Sequence, residues 1–295
     1  MNTLSSLIKR NMLMYLKNRM AVFFSLLSVM TILGLYIIFL ANININTVQS
    51  LINANRQAIA YLVNSWVMAG IIIVNSVTVT LSVLGIMIDD ETNNHMASFL
   101  VSPVSRLKLT LGYISSSFII GTIMCILTLV LSQVYIVSSG GNFLTIYQIL
   151  RVLGLIIISV FSSTCFVFFL VSLVRTSGSF SALSIIVGSF VGFAAGIYIP
   201  VGELPNTVQT AIKYIPIFYD TSLMQSVYTE TPVSKVFAGT SPDIVSEYLH
   251  KTGIMINWGG NIVSDLSKIA IITISGTIFI ILSVLLMRKR RMVSM

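Results

Sequence analysis

A chain of 295 residues in which 56% of side chains are hydrophobic and only 9% charged has far less charge than the ~25% of a soluble domain. Its mean hydropathy of +0.95 points to a protein embedded in a bilayer. The net charge of +8 would elsewhere suggest nucleic acid, but the basic residues abut long uncharged windows, so anionic lipid headgroups are the better partner.

Residues 1–20 open the chain with Leu4, Leu7, Ile8, Met12, Tyr15 and Leu16 at roughly helical spacing. Lys9, Arg10, Lys17 and Arg19 lie between and after them. This pattern predicts an interfacial helix with its apolar face down, or else a basic flank to the first span. The apolar run that follows is too long for the ~7–15 residues of a signal-peptide core and is read as retained.

A helix needs roughly 20 apolar residues to cross about 30 Å of hydrocarbon. Each uncharged window then holds one span: 21–41, 59–88, 109–137, 149–173, 180–199 and 268–287. Ser138-Ser139-Gly140-Gly141-Asn142 interrupts the longest window and marks a turn. With both termini on the cytoplasmic side, eleven of the 17 basic residues fall on that side, as the positive-inside rule requires. The fold class is all-α: a polytopic membrane protein organised as one transmembrane domain over 1–295.

The loop 89–108 after the second span begins with Asp89, Asp90 and Glu91, which suit a helix N-terminus. Thr92, Met96, Phe99, Leu100 and Pro103 then share one face of a short cytoplasmic helix that Ser102-Pro103 stops. That apolar stripe needs cover, either from its own bundle or from a partner subunit. In the fifth span Gly188, Gly192 and Gly196 recur at i, i+4 and i+8, a ridge for close helix packing within the chain or across a dimer. All six prolines fall outside the spans. Three of them break 200–228 into apolar pieces too short to cross, read as re-entrant outer helices. Residues 229–265 read as an exposed outer loop, and 288–295 as a basic cytoplasmic tail.

Several chemistries are missing. No Gly-Lys dipeptide occurs, so the chain has no phosphate loop of its own. His95 and His250 fall on opposite sides and form no metal pair; no metal site is expected. Cys125 and Cys165 both lie inside spans, which leaves no disulfide framework. Ionisable residues are absent from the span interiors, which argues against an ion-coupled carrier working alone.

Three stretches carry a family resemblance: Lys9-Arg10-Asn11 with Leu16-Lys17-Asn18-Arg19; Leu100-Val101-Ser102-Pro103-Val104-Ser105-Arg106; and Gly196 to Pro200, with Leu204-Pro205 and Ile215-Pro216-Ile217 to Tyr219-Asp220. Together with six spans, they make the chain resemble a permease of type-2 ABC exporters, the daunorubicin-resistance-like bacterial branch. It departs from the family pattern at Asn93, Asn94 and His95.

The resemblance implies a cell-membrane complex of two permeases, identical or closely related, with two cytoplasmic ABC ATPase subunits. The ATPases would hold ATP and Mg, and this chain would bind no cofactor. Their docking surface would comprise Glu91, His95, Met96, Phe99, Leu100, Pro103 and Arg106, with the N-terminal helix alongside. The substrate cavity would be lined by Asn75 and Thr78 in the second span and by Phe190 and Phe193 in the fifth. An uncharged, aromatic-bearing set of spans suits an amphipathic or lipid-like cargo. The alternative is an ATPase-independent channel or secondary carrier.

Overall fold

The architecture comes from a computed structural model that describes residues 3–52, 54–93 and 105–290. Six of its helices are long and apolar enough to cross a membrane. The chain begins with α1 (Thr3–Lys17), and Asn18 ends it by leaving helical geometry. The Asn18 side chain accepts a hydrogen bond from Ala21 N at 3.1 Å and so starts α2 (Arg19–Leu35). A π-turn at Tyr36–Leu40 leads into α3 (Ala41–Leu51), making one apolar run. The extra residue of the π-turn accompanies an inward-facing Tyr36, whose buried hydroxyl donates to Asn64 Oδ1 at 3.0 Å.

The centre is α4 (Arg56–Thr92), capped by Asn55 through Gln57 N. At 37 residues and 1.5 Å per residue it is about 55 Å long, so it outreaches a bilayer core of about 30 Å. Its apolar window is 89% buried. Around it pack α5 (Arg106–Ser138), α6 (Ile146–Ser172) and α7 (Ser177–Ala194), together with α2, α3 and, from the later part of the chain, α9 (Pro216–Val236).

Small polar residues stitch these helices together. Asn75 Nδ2 donates to Thr128 Oγ1 at 2.8 Å, Ser76 and Ser163 share a hydrogen bond at 2.8 Å, and Ser117 Oγ donates to Thr80 O at 3.1 Å. Such bonds hold helices together where water offers no competing partner. By contrast, the windows of the α2–α3 run, of α7 and of the last helix are only 11%, 17% and 17% buried. Those three turn most of their surface outward.

Beyond α7 come a 3₁₀ turn (Val201–Glu203), α8 (Asn206–Ile212), α9, α10 (Pro242–Lys251), a two-stranded hairpin (β1 Asn257–Trp258, β2 Asn261–Ile262) and α11 (Asp265–Arg290). The 3₁₀ turn, α8, α10 and the hairpin lie at the far end of the bundle, where α4 begins, and α11 starts there and runs back along α6 as the last span. The near end holds α1 and the last turn of α4.

Three sequence expectations are corrected here. Asp89, Asp90 and Glu91 do not start a helix; they lie in the last two turns of α4. Residues 216–228 are not a short piece, because α9 is one 21-residue helix running through Pro232. Nor is 229–265 an exposed loop: Val236, Phe237 and Tyr248 are buried in the main core, and Trp66 Nε1 donates to Thr252 O at 3.2 Å. The short cytoplasmic helix expected through Leu100 lies outside the described residues from residue 94 onward.

Candidate functional site

The near end is built around one carboxylate. Leu7, Asn11 and Tyr15, spaced i, i+4 and i+8, form the buried face of α1. That register brings Arg10 alongside the last turns of α4. Its guanidinium forks onto the buried Asp90, with Nη2 donating to Oδ1 at 2.7 Å and Nη1 to Oδ2 at 2.8 Å. Tyr113 of α5 donates its hydroxyl to Asp90 Oδ2 at 2.6 Å.

A carboxylate at a helix C-terminus meets the negative end of the macrodipole, and burial without partners would add several kcal/mol. The bidentate arginine and the phenol answer both costs. In return, the hydrogen bond and charge of Asp90 raise the Arg10 pKa above its ordinary value, so the guanidinium stays ionised. Two residues further on, Ser177 Oγ, at the start of α7, donates to Thr92 Oγ1 at 3.3 Å. The end of α4 is thus joined to α1, α5 and α7.

Above this junction lies a cleft of about 460 Å³ between the α1–α2 corner, α4 and α7. Tyr15 and Asn18, Thr78, Ser82 and Asp89, and Ser184 line it from those three sides. The walls are apolar and hydroxyl-bearing, with Asn18 and the Asp89 carboxylate as the further polar groups, a lining suited to an amphipathic molecule. Phe180 closes the lower corner against Gly85, where a Cβ would come within 3.0 Å of the ring. Higher up, nothing lies within 4 Å of a Cβ on Gly188.

The sequence-selected residues fall out unevenly. Lys9, Lys17 and Arg19 are exposed, as a headgroup-facing set would be, but Arg10 is turned inward to Asp90. Glu91 lies in the final turn of α4. Arg106 opens α5, while His95, Met96, Phe99, Leu100 and Pro103 lie outside the described residues.

The glycine ridge is not one ridge. Gly196 lies past the end of α7 with φ +66° and turns the chain, and a Cβ on Gly192 would strike the ring of Tyr198 from the same chain. Of the proposed cavity residues, Thr78 lines the cleft. Asn75 does not; it is buried in the α4–α5 contact. Phe190 and Phe193 lie on the exposed face of α7, with Phe193 edge-on to Tyr198 at 5.1 Å.

Sequence reasoning missed the role of Asp220. It sits wholly buried in α9 and accepts a hydrogen bond from Ser159 Oγ of α6 at 2.7 Å. Its second oxygen is buried with no hydrogen-bond partner among the described residues. Burial pushes the carboxyl up to about 7. Other polar residues of α9 reach the same bundle: Tyr228 shares a hydrogen bond with Ser132 at 2.9 Å, and Gln225 Nε2 donates to Trp66 O at 3.4 Å. Asp220's single acidic letter among apolar neighbours was the one available signal. Among the described residues, no cluster of three or more His, Cys, Asp or Glu could hold a metal ion.

The family described as "ABC-2 family transporter protein" matches residues 2–287. No curated protein and no solved structure matches the chain. With nearly its whole length covered and six long apolar helices, this multi-pass membrane protein belongs to the ABC-2 transporter permease family, membrane subunits of ABC transporters that work with a separate ATPase subunit.

Proposed function

We propose that the chain is the permease of a bacterial exporter, moving an amphipathic or lipid-like compound outward with ATP hydrolysed by a separate subunit. Both termini face the cytoplasm, consistent with the basic residues that flank the near ends of the spans. Two permease chains, identical or closely related, pair in the membrane. Two ATPases hold ATP and Mg beneath them and press on the segment 89–108.

The observation that carries this reading is the convergence of α1, α5 and α7 on the final turns of α4. A push on the segment that follows Asn93 reaches α4 within one helical turn. Because Arg10, Tyr113 and Ser177 grip the same turns, α4 moves with its neighbours or tilts against α7. Tilting changes the width of the cleft, whose walls are α4 and α7. The walls, apolar with hydroxyls, Asn18 and one carboxylate, Asp89, favour an amphiphile. The outer helices α8 and α9 form the far side of the path as re-entrant elements.

Docking is tested by pull-down of the cognate ATPase with Phe99→Asp and Leu100→Asp. Each substitution places a charge on the apolar stripe that the sequence puts on the loop. The expected outcome is a membrane-inserted protein that recovers at least ten-fold less ATPase than wild type. Wild-type recovery from both variants contradicts the docking assignment.

A further inference from the structure

At the far end, away from the cleft, lies a second pocket of about 250 Å³ between the 3₁₀ turn, α8, the start of α9 and the end of α10. Lys213 and Lys251 line it, with Glu247 and Asn257 beside them and Phe218 and Ile256 as apolar wall. We propose that this pocket binds the phosphate-ester headgroup of an anionic membrane lipid. Such binding is independent of which compound the permease carries.

The charge balance favours an anion. Among these lining residues two ammonium groups face one carboxylate. A third ammonium, that of the buried Lys268, stands behind the same wall, and its one carboxylate partner among the described residues is the exposed Asp265, at 3.1 Å. A cation would need backbone acceptors, and the carbonyls of 254–257 are largely occupied from within. Ile254 O accepts from Ser222 Oγ at 2.7 Å and from Lys268 Nζ at 3.3 Å. Ile256 O accepts from Val263 N at 2.9 Å, and Asn257 O from Lys213 Nζ at 2.9 Å. What remains on offer is positive: Lys213 has two further N–H donors and Lys251 has three. Lysine binds phosphate as a point charge.

Asn257 narrows the class. Its side-chain oxygen is buried with no hydrogen-bond partner among the described residues. An acceptor in that state suits a ligand that brings a hydroxyl or amine as well as a phosphate, as glycerol and amino headgroups do.

The rim points to lipid rather than to a free anion. Tyr214 and Trp258, each next in sequence to one of the hydrogen-bonded pair Lys213 and Asn257, meet edge-on at 5.3 Å. Both rings are exposed, as are Ile262 and Leu266, where the last span begins. Exposed aromatics beside a span end are the residues that settle at the membrane–water boundary. A headgroup in the pocket would leave its acyl chains along this apolar rim.

The test uses the full chain in mixed micelles and follows quenching of tryptophan fluorescence by lipids brominated on their acyl chains. Only two tryptophans are present, Trp66 and Trp258, and Trp66 is buried, so quenching reports on the rim. Brominated phosphatidylglycerol is expected to quench at about ten-fold lower mole fraction than brominated phosphatidylcholine. Lys251→Gln should weaken that preference about five-fold, since each basic residue near a charged surface contributes roughly that factor, and Lys213→Gln with Lys251→Gln should abolish it. Lys213 also braces Asn257, so the Lys251→Gln variant, which leaves that brace intact, decides the matter alone. Unchanged phosphatidylglycerol preference in Lys251→Gln overturns the proposal. So does displacement of the brominated lipid by inorganic phosphate at equal concentration, which would make this a free-anion site.

Discussion

Arg10 and Asp90 stand 80 positions apart in the chain yet meet as a two-pronged ion pair at 2.7 and 2.8 Å. They join the first helix to the last turns of the central one. The pair lies just before the loop that the family resemblance assigns to ATPase docking. A structural fastening and a route for movement therefore occupy the same place.

Breaking one side of that pair should cost more than removing both. Arg10→Ala strips the buried carboxylate of its guanidinium, and a loss of about 3–5 kcal/mol is expected. Replacing both partners with apolar residues, Arg10→Met with Asp90→Leu, should recover most of that loss. Thermal unfolding of the singles and the double in one detergent checks this. A double variant less stable than either single contradicts the assignment of Asp90 as a carboxylate held by Arg10.

Asp220 makes stability depend on pH with a defined sign. Its folded value of about 7 lies above the ordinary ~3.9 of an unfolded aspartate. Between these values the folded state holds the proton and the unfolded state does not. Stability therefore falls as pH rises from about 4 to about 7 and is flat beyond, by up to about 4 kcal/mol in all. Asp220→Asn should abolish that slope and be the more stable protein at pH 8. Parallel pH profiles for the two proteins count against a buried, protonated Asp220.

Two glycines four residues apart on α7 should behave in opposite ways. Gly192→Ala places a methyl against the Tyr198 ring and should destabilise by about 1–3 kcal/mol. Gly188→Ala meets open space and should be neutral or stabilise by up to about 1 kcal/mol. Gly188→Phe should fold yet fill the cleft, lowering transport at least ten-fold while ATPase binding persists. Full transport by a folded Gly188→Phe protein would remove the cleft from the path.

The spans are legible in the sequence because long uncharged windows in a chain this apolar match what a bilayer demands of a helix. The interruption at 138–142 is legible for a local reason: Gly140 adopts φ +84°, a turn that glycine permits. Polarity with a hidden partner is what the sequence conceals. Asp220, Gln225, Thr229 and Glu230 make α9 look too polar for a bundle, yet the first three are buried. The partners Ser159 and Trp66 lie far away in sequence. Asp89-Asp90-Glu91 carries the signal of a helix start. The Arg10 and Tyr113 contacts that let Asp90 end a helix instead have no local sequence pattern.

In the proposed mechanism, nucleotide energy enters from another subunit and passes through the last turns of α4. That coupling is measured as transport of a fluorescent amphiphile in liposomes containing the permease and its ATPase. Wild type and Asp90→Asn are compared with and without ATP. Expected are ATP-dependent transport by wild type, none by the permease alone, and at least a ten-fold loss in Asp90→Asn with the ATPase still bound. Sustained transport by the permease alone, or full ATP-driven transport by Asp90→Asn, would refute the coupling.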